Sequence, residues 1–214
     1  MITQGRTTGR IIKKGVDEMG RFTWMILKGK NERQIMTITV YRVYKAGPNI
    51  GPHTAHMQQI KQLLMKEVTT PDPRREILGD IQRLVKEQHK QGGGVVLMMD
   101  ANEDWERDGE LAEFLLETQL EDVHQSQQQT TPTTTYSRGT KRLDYIFTSH
   151  PLLGTIRMPG YLAIHDAIIS DHRMCYMDVN MITFLGGNIN QILRPYQRIF
   201  KCNKKQEANY LYRN

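Results

Sequence analysis

The stretch Val95–Trp105, VVLMMDANEDW, constrains the fold of this chain more than any other. Val95 to Met99 is an unbroken apolar run that follows directly on Gly92, Gly93 and Gly94. A short apolar run bounded by glycines reads as a strand buried on both faces, which predicts a central place in a sheet covered on both sides. The run stops at Asp100, and Asn102 follows two residues later. A carboxylate and a carboxamide where a buried strand meets a loop lie in the crevice where α/β proteins place ligands. Asp and Asn are also ordinary turn formers, so this stretch alone leaves both readings open.

The flanking segments supply the rest of the architecture. Residues 21–27, RFTWMIL, and 35–44, IMTITVYRVY, are rich in β-branched and aromatic side chains and read as strands joined through the polar turn KGKNERQ. Alternation puts Met36, Ile38 and Val40 on one face of the second strand and Thr37, Thr39 and Tyr41 on the other. A helix is expected over 53–68, with Met57, Ile60, Leu64 and Val68 as its stripe. A second is expected over 74–91, with Ile77, Ile81, Leu84, Val85 and Gln88 inward and Asp72-Pro73 as its start signal. A third, short helix spans 109–119 through Leu111, Phe114 and Leu115. The Gln/Thr tract QSQQQTTPTTT is too polar to pack and reads as a long loop. RLDYIFTS then alternates as a strand, with Leu143, Tyr145 and Phe147 on one face and Asp144 and Ile146 on the other. Asp144 interrupts a face otherwise suited to burial, and a buried carboxylate needs a partner. Strands are expected within 156–169 and over 173–179, with Ser170, Asp171 and His172 just before the last. His53, His56 and His89 read as surface residues, and Phe184 to Asn190 as a linker.

A chain of 214 residues suits one sizeable domain. The net charge of +6 is uneven: residues 1–34 and 194–214 each carry +5, and the body between them carries −4. Basic ends favour polyanionic partners such as nucleic acid, though solvated termini look the same. No window approaches about 20 consecutive apolar residues, so no membrane-spanning helix is expected, and MITQGRTTGR lacks the apolar core of a secretory signal. Cys175 and Cys202 make neither a metal-binding spacing nor a disulfide framework, which fits a reducing, intracellular setting.

Four polar stations stand at strand ends or on strands: Tyr41, Asp100 with Asn102, Asp144, and Asp171 with His172. A strand ending in Asp-x-Asn, then RLDYI, then SDH before a closing strand resembles the endonuclease/exonuclease/phosphatase (DNase I-like) family. RLDYIFTSHPLL is similar to the matching stretch of apurinic/apyrimidinic endonucleases. VYRVYKAG, the helices flanking PDPRR, MMDANEDW and ISDHR resemble the endonuclease domains of non-LTR retrotransposons. The resemblance covers about residues 20–180 and implies an α/β (α+β) fold, a partial two-sheet sandwich with helices outside. It also implies divalent-metal-dependent phosphodiester hydrolysis on nucleic acid, above all DNA, with Mg²⁺ (Mn²⁺ possible) as the ion. In that chemistry Asp100 activates or orients the attacking water, Asn102 donates to water or phosphate, and His172 stabilises developing phosphoryl charge. Asp144 fixes the tautomer of His172 and keeps it cationic. Asp171 binds the metal, Tyr41 contacts the phosphate, and Arg138, Lys141 and Arg142 contact nucleic acid. The setting is then nuclear if the source is eukaryotic.

The resemblance also implies two earlier motifs, one with an Asn and one with the main metal-binding Glu. About twenty residues precede RFTW, and their only acids, Asp17 and Glu18, sit in KKGVDEMGR, which reads as a turn. The family's Pro-Asn after the tyrosine is replaced by Val43-Tyr44. The expectation is an N-terminally truncated domain over 1–182 and a linker with a basic tail over 183–214, the tail once leading to a reverse transcriptase. Three functions follow: a retrotransposon-derived DNA endonuclease, a catalytically inactive remnant that only binds nucleic acid, or a phosphatase acting on small phosphoesters.

Overall fold

The computed structural model describes residues 1–45, 47, 51–104, 109–127, 134–164 and 170–186. Trp105, most of the Gln/Thr tract, Cys202 and the basic tail lie outside these residues. A six-stranded mixed sheet forms the centre. In chain order its strands are β1 (Ile11–Val16), β2 (Phe22–Lys28), β3 (Gln34–Tyr41), β4 (Gly94–Asp100), β5 (Leu120–Asp122) and β6 (Asp144–Ser149). Across the sheet they run β1-β2-β3-β4-β6-β5. β3 and β4 are parallel, and two helices join them, α1 (Ala55–Met65) and α2 (Pro73–Lys90). A parallel pair needs such a crossover. β4 and β6 are antiparallel. As its composition requires, β4 lies inside the sheet.

Alternation along β4 serves two cores. Val95, Leu97 and Met99 meet Ile77, Ile81 and Val85 of α2 and Leu111, Phe114 and Leu115 of α3 (Gly109–Thr118). Val96 and Met98 face the other way, toward a two-stranded sheet of β7 (Ile156–Tyr161) and β8 (Cys175–Val179). The chain is thus a partial sandwich with helices on one outer face. The second sheet covers only part of the inner face: Thr39 is exposed and Tyr41 is 47% exposed. Two short helices, α4 (Val123–Gln127) and α5 (His150–Leu153), flank β5 and β6, and α6 (Met181–Phe184) closes the described chain. At the entry to β4, Gly92 takes φ +71°, a conformation that favours glycine, and a Cβ on Gly93 would displace the end of the Gln88 side chain.

α2 starts where its sequence directs: Pro73 opens it and the Asp72 carboxylate accepts from the N–H groups of Arg74 and Arg75. Asp72→Ala is expected to lower stability by about 1 kcal/mol in urea unfolding, with an unchanged slope.

Several expectations are corrected. α1 buries Gln59 and Leu63, while Leu64 is 53% exposed, because α1 rests on α2 along a narrower stripe than its apolar residues suggested. Lys13 to Val16 of the segment read as a turn belong to an edge strand over 11–16, paired with β2, and the turn itself narrows to 17–21 around Asp17 and Glu18. Gln125 to Gln127 are helical, since the Asp122 carboxylate accepts from the N–H groups of His124 and Gln125 and starts a turn there. Phe184 and Leu185 are buried in the second core rather than forming a linker. His89 is half-buried and hydrogen-bonds the Ser149 hydroxyl at 2.8 Å.

The acids of the first segment are committed elsewhere. Asp17 receives the Arg21 guanidinium at 2.8 and 2.9 Å, and Arg21 also binds Asp80 of α2. Glu18 pairs with Lys66 at 2.7 Å. Burial by itself would raise the Asp17 pKa, but hydrogen bonds from the Arg21 side chain and backbone outweigh it and hold the group below the usual carboxylate range. Its contribution to stability is therefore present above the unfolded value of about 3.9 and is lost as pH falls through the lower folded value. Asp17→Asn is expected to flatten the acid limb of a stability-against-pH curve while leaving the neutral limb parallel to wild type.

Candidate active site

Strand register builds the site. Tyr41 of β3 is paired with Asp100 of β4, and Asp100 with Asp144 of β6. Paired residues share a face of the sheet, so one row of three strand ends carries a phenol and two carboxylates. The row lies on the face toward the second sheet, where the chain leading into β8 brings His172. Its Nδ1 is 2.9 Å from the Asp144 carboxylate. A carboxylate only accepts, so Nδ1 carries the proton and Nε2 is the nitrogen left to face a substrate. One ligand atom each of Asp100, Asp144 and His172 lies within 4.8 Å of the others, and all three side chains are half-buried.

The electrostatics follow from this crowding. Burial pushes the Asp100 carboxyl up to about 6, with the Asp144 charge adding to it; the Asn102 N–H, His172 and Arg74 pull the other way. For His172, burial disfavours the cation, but the Asp144 hydrogen bond and charge, then Asp100 and Asp171, outweigh it and raise the pKa above the ordinary imidazole value. A carboxylate poised near neutrality beside an imidazole held toward its charged form is an acid–base arrangement.

The other expected residues divide. Asn102 takes φ +51°, a conformation that asparagine tolerates, and closes the corner after β4. Its N–H donates to Asp100 Oδ1 at 3.1 Å, and its amide Nδ2 donates to the Arg42 carbonyl at 2.8 Å, tying the ends of β3 and β4 together. Asp171 is exposed and not among the three clustered ligands; its carbonyl accepts from the Ser137 N–H at 2.9 Å. Arg138 and Lys141 are exposed beside the site. Arg142 is not a surface cation. It is buried, grips Asp122 at 2.6 and 2.8 Å, and stacks 4.5 Å above the Tyr145 ring. His124, which stacks on Tyr161 with ring centres 4.3 Å apart, lies 3.5 Å from the same guanidinium.

Sequence reasoning missed Thr135 and Tyr136. Tyr136 forms a bridge with His172, and their rings are 5.3 Å apart. Thr135 is fully buried at the end of the Gln/Thr tract. The one signal was position, directly before the aromatic residue that ends the low-complexity run.

The donor set fits a hard divalent ion. Burial, and after it the charge of Asp144 on the adjacent strand, disfavours the Asp100 carboxylate, and a cation at the oxygens of the pair would offset both.

No protein-family model and no curated protein sequence matches the chain. Solved structures do. The 3′ phosphatase NExo from Neisseria, bound to product DNA hairpin, aligns with TM-score 0.53 and 15% identity over 78% of this chain and 70% of that one. The mannosyl-6-phosphatase Bt3783 of Bacteroides thetaiotaomicron gives 0.53 and 16% over 79% and 66%. The AP endonuclease LMAP of Leishmania major gives 0.51 and 17% over 75% and 54%. The chain thus spans between 54% and 70% of the length of these proteins. Its mixed sheet, second sheet and helical layer are those of the endonuclease/exonuclease/phosphatase, DNase I-like fold.

Proposed function

We propose that the chain hydrolyses phosphodiesters in nucleic acid, DNA by preference, with a divalent metal ion, and that it derives from a retrotransposon endonuclease. The observation that carries this reading is the convergence of Asp100 with the Asp144–His172 pair at the open end of the sheet. A phosphodiester is anionic and repels nucleophiles, so its hydrolysis needs a positioned water and neutralisation of phosphoryl charge. In this reading Asp100 orients and deprotonates the water. His172, kept cationic by Asp144, donates from Nε2 to a phosphoryl oxygen. Tyr41 reaches the phosphate from the adjacent strand, and Asn102 steadies Asp100 through its N–H. Mg²⁺ or Mn²⁺, held by oxygens of Asp100 and Asp144, would supply further charge neutralisation. Arg138 and Lys141, exposed beside the site, contact backbone phosphates. A nucleic-acid substrate is supported by the DNA hairpin in the Neisseria structure. The retrotransposon origin is supported by the motif resemblance of VYRVYKAG, MMDANEDW and ISDHR.

One observation favours a second reading, a non-catalytic nucleic-acid binder: Asp17 and Glu18, the acids of the first segment, are ion-paired with Arg21 and Lys66 and join no ligand cluster. Plasmid nicking and gel shift decide between the two. The hydrolase reading expects nicking with Mg²⁺ that EDTA abolishes. Retarded DNA without nicking supports the binder, and phosphate release from small phosphoesters without nicking supports a phosphatase.

A further inference from the structure

We infer that Thr135 is a positioning residue that holds Asp144 and His172 at hydrogen-bonding distance by clamping the two chain segments that carry them. The inference rests on the hydrolase reading for its catalytic consequence, and on geometry for the rest.

The Asp144–His172 pair joins residues 28 apart in sequence, one at the start of β6 and the other in the connection to β8. A side-chain bond of 2.9 Å across that separation requires the two backbones to be fixed against each other. β6 cannot do this through its sheet neighbour on that side, because β5 pairs only with Phe147, Thr148 and Ser149. The N–H groups of Leu143 and Asp144 lie beyond its reach. Thr135 Oγ1 accepts from both, at 2.8 and 3.1 Å. The Thr135 carbonyl accepts from the Arg173 N–H at 2.7 Å, one residue past His172. A single fully buried residue therefore fixes Asp144 through its side chain and the His172 segment through its main chain. The next two residues extend the second contact: Tyr136 bridges His172, and the Ser137 N–H donates to the Asp171 carbonyl at 2.9 Å.

The hydroxyl is the separable part. Valine has nearly the same shape and keeps the main-chain contact to Arg173, but it leaves the Leu143 and Asp144 N–H groups without their acceptor. Serine restores the acceptor. Loss of a buried acceptor is expected to speed amide exchange at Leu143 and Asp144 by about tenfold or more, while amides of the β3–β4 ladder keep their protection.

The test uses the ¹⁵N-labelled full chain and needs no hydrolysis. In wild type the His172 Nδ1–H should appear as a downfield, slowly exchanging resonance. Thr135→Val should broaden or abolish it with the ladder amides intact, and Thr135→Ser should restore it. In parallel, native-state exchange of wild type in low urea should show Leu143, Asp144 and His172 Nδ1–H opening in one step with a common denaturant slope. This arm holds even if the valine variant fails to fold. A folded Thr135→Val chain with an unchanged Nδ1–H resonance overturns the inference, as do different denaturant slopes for the three protons. Absence of nicking by wild type, with these spectroscopic results in place, would count against the hydrolase reading alone.

Discussion

Arg142→Met is expected to destabilise the domain by about 3–5 kcal/mol, the effect of removing one partner from a buried ion pair. The Arg142 side chain is 6% exposed and that of Asp122 2%. The substitution leaves a carboxylate in the interior without its cation, and its two backbone N–H donors, from His124 and Gln125, do not replace a guanidinium. It also removes a cation from the face of Tyr145. The double variant Arg142→Met/Asp122→Asn should recover a large part of the loss, because asparagine still accepts from the N–H groups of α4 and carries no charge. Urea unfolding of the single and double variants checks this. A single variant within about 1 kcal/mol of wild type, the range of exposed pairs, would mean that the arginine is solvated. The same result would restore it as a candidate DNA contact.

Asp144→Asn and His172→Ala are each expected to lower metal-dependent nicking by a factor of about 10²–10⁴, the range for a positioned acid or base together with a lost electrostatic contact. His172→Ala removes the group that faces the phosphoryl oxygen. Asp144→Asn keeps the shape but removes the charge that outweighs the burial of His172 and keeps its pKa high. The asparagine amide also presents a donor or an acceptor, so the Nδ1 tautomer is no longer enforced. Asp144→Asn should leave DNA affinity close to wild type, because exposed Arg138 and Lys141 carry the phosphate contacts in this account.

The sequence made legible whatever depended on a short local pattern. The glycine-bounded run of β4, the alternation of β3 and β6, and the Asp72-Pro73 start of α2 each carry their physics within a few residues. The grouping of Tyr41, Asp100 and Asp144 was expected from the motif resemblance, and the structure places all three at strand ends aligned in register. What was hidden depends on long-range partners. Arg142 looked like a surface cation because Asp122, its counter-charge, lies twenty residues away on another strand. Lys13 to Val16 of β1 read as part of a turn because KKGV carries two lysines and a glycine, as an edge strand with one solvated side permits. Phe184 and Leu185 sit among Gly and Asn residues, and their burial comes from a core assembled from distant segments, Ile35 and Val96 of the main sheet, Leu152 of α5 and Ile156 of the second sheet. Thr135 was indistinguishable from the other threonines of its tract, since its hydroxyl acquires meaning only from the N–H groups at the start of β6 that β5 does not reach.

The most direct test of the central claim is a double-mutant cycle on supercoiled plasmid nicking in Mg²⁺, with wild type, Asp144→Asn, His172→Ala and the double variant. If the carboxylate acts chiefly through the imidazole, wild type nicks in Mg²⁺ and not in EDTA, and the loss in the double variant falls well short of the product of the two single losses. Losses that multiply, or nicking by His172→Ala at the wild-type rate, would contradict the account.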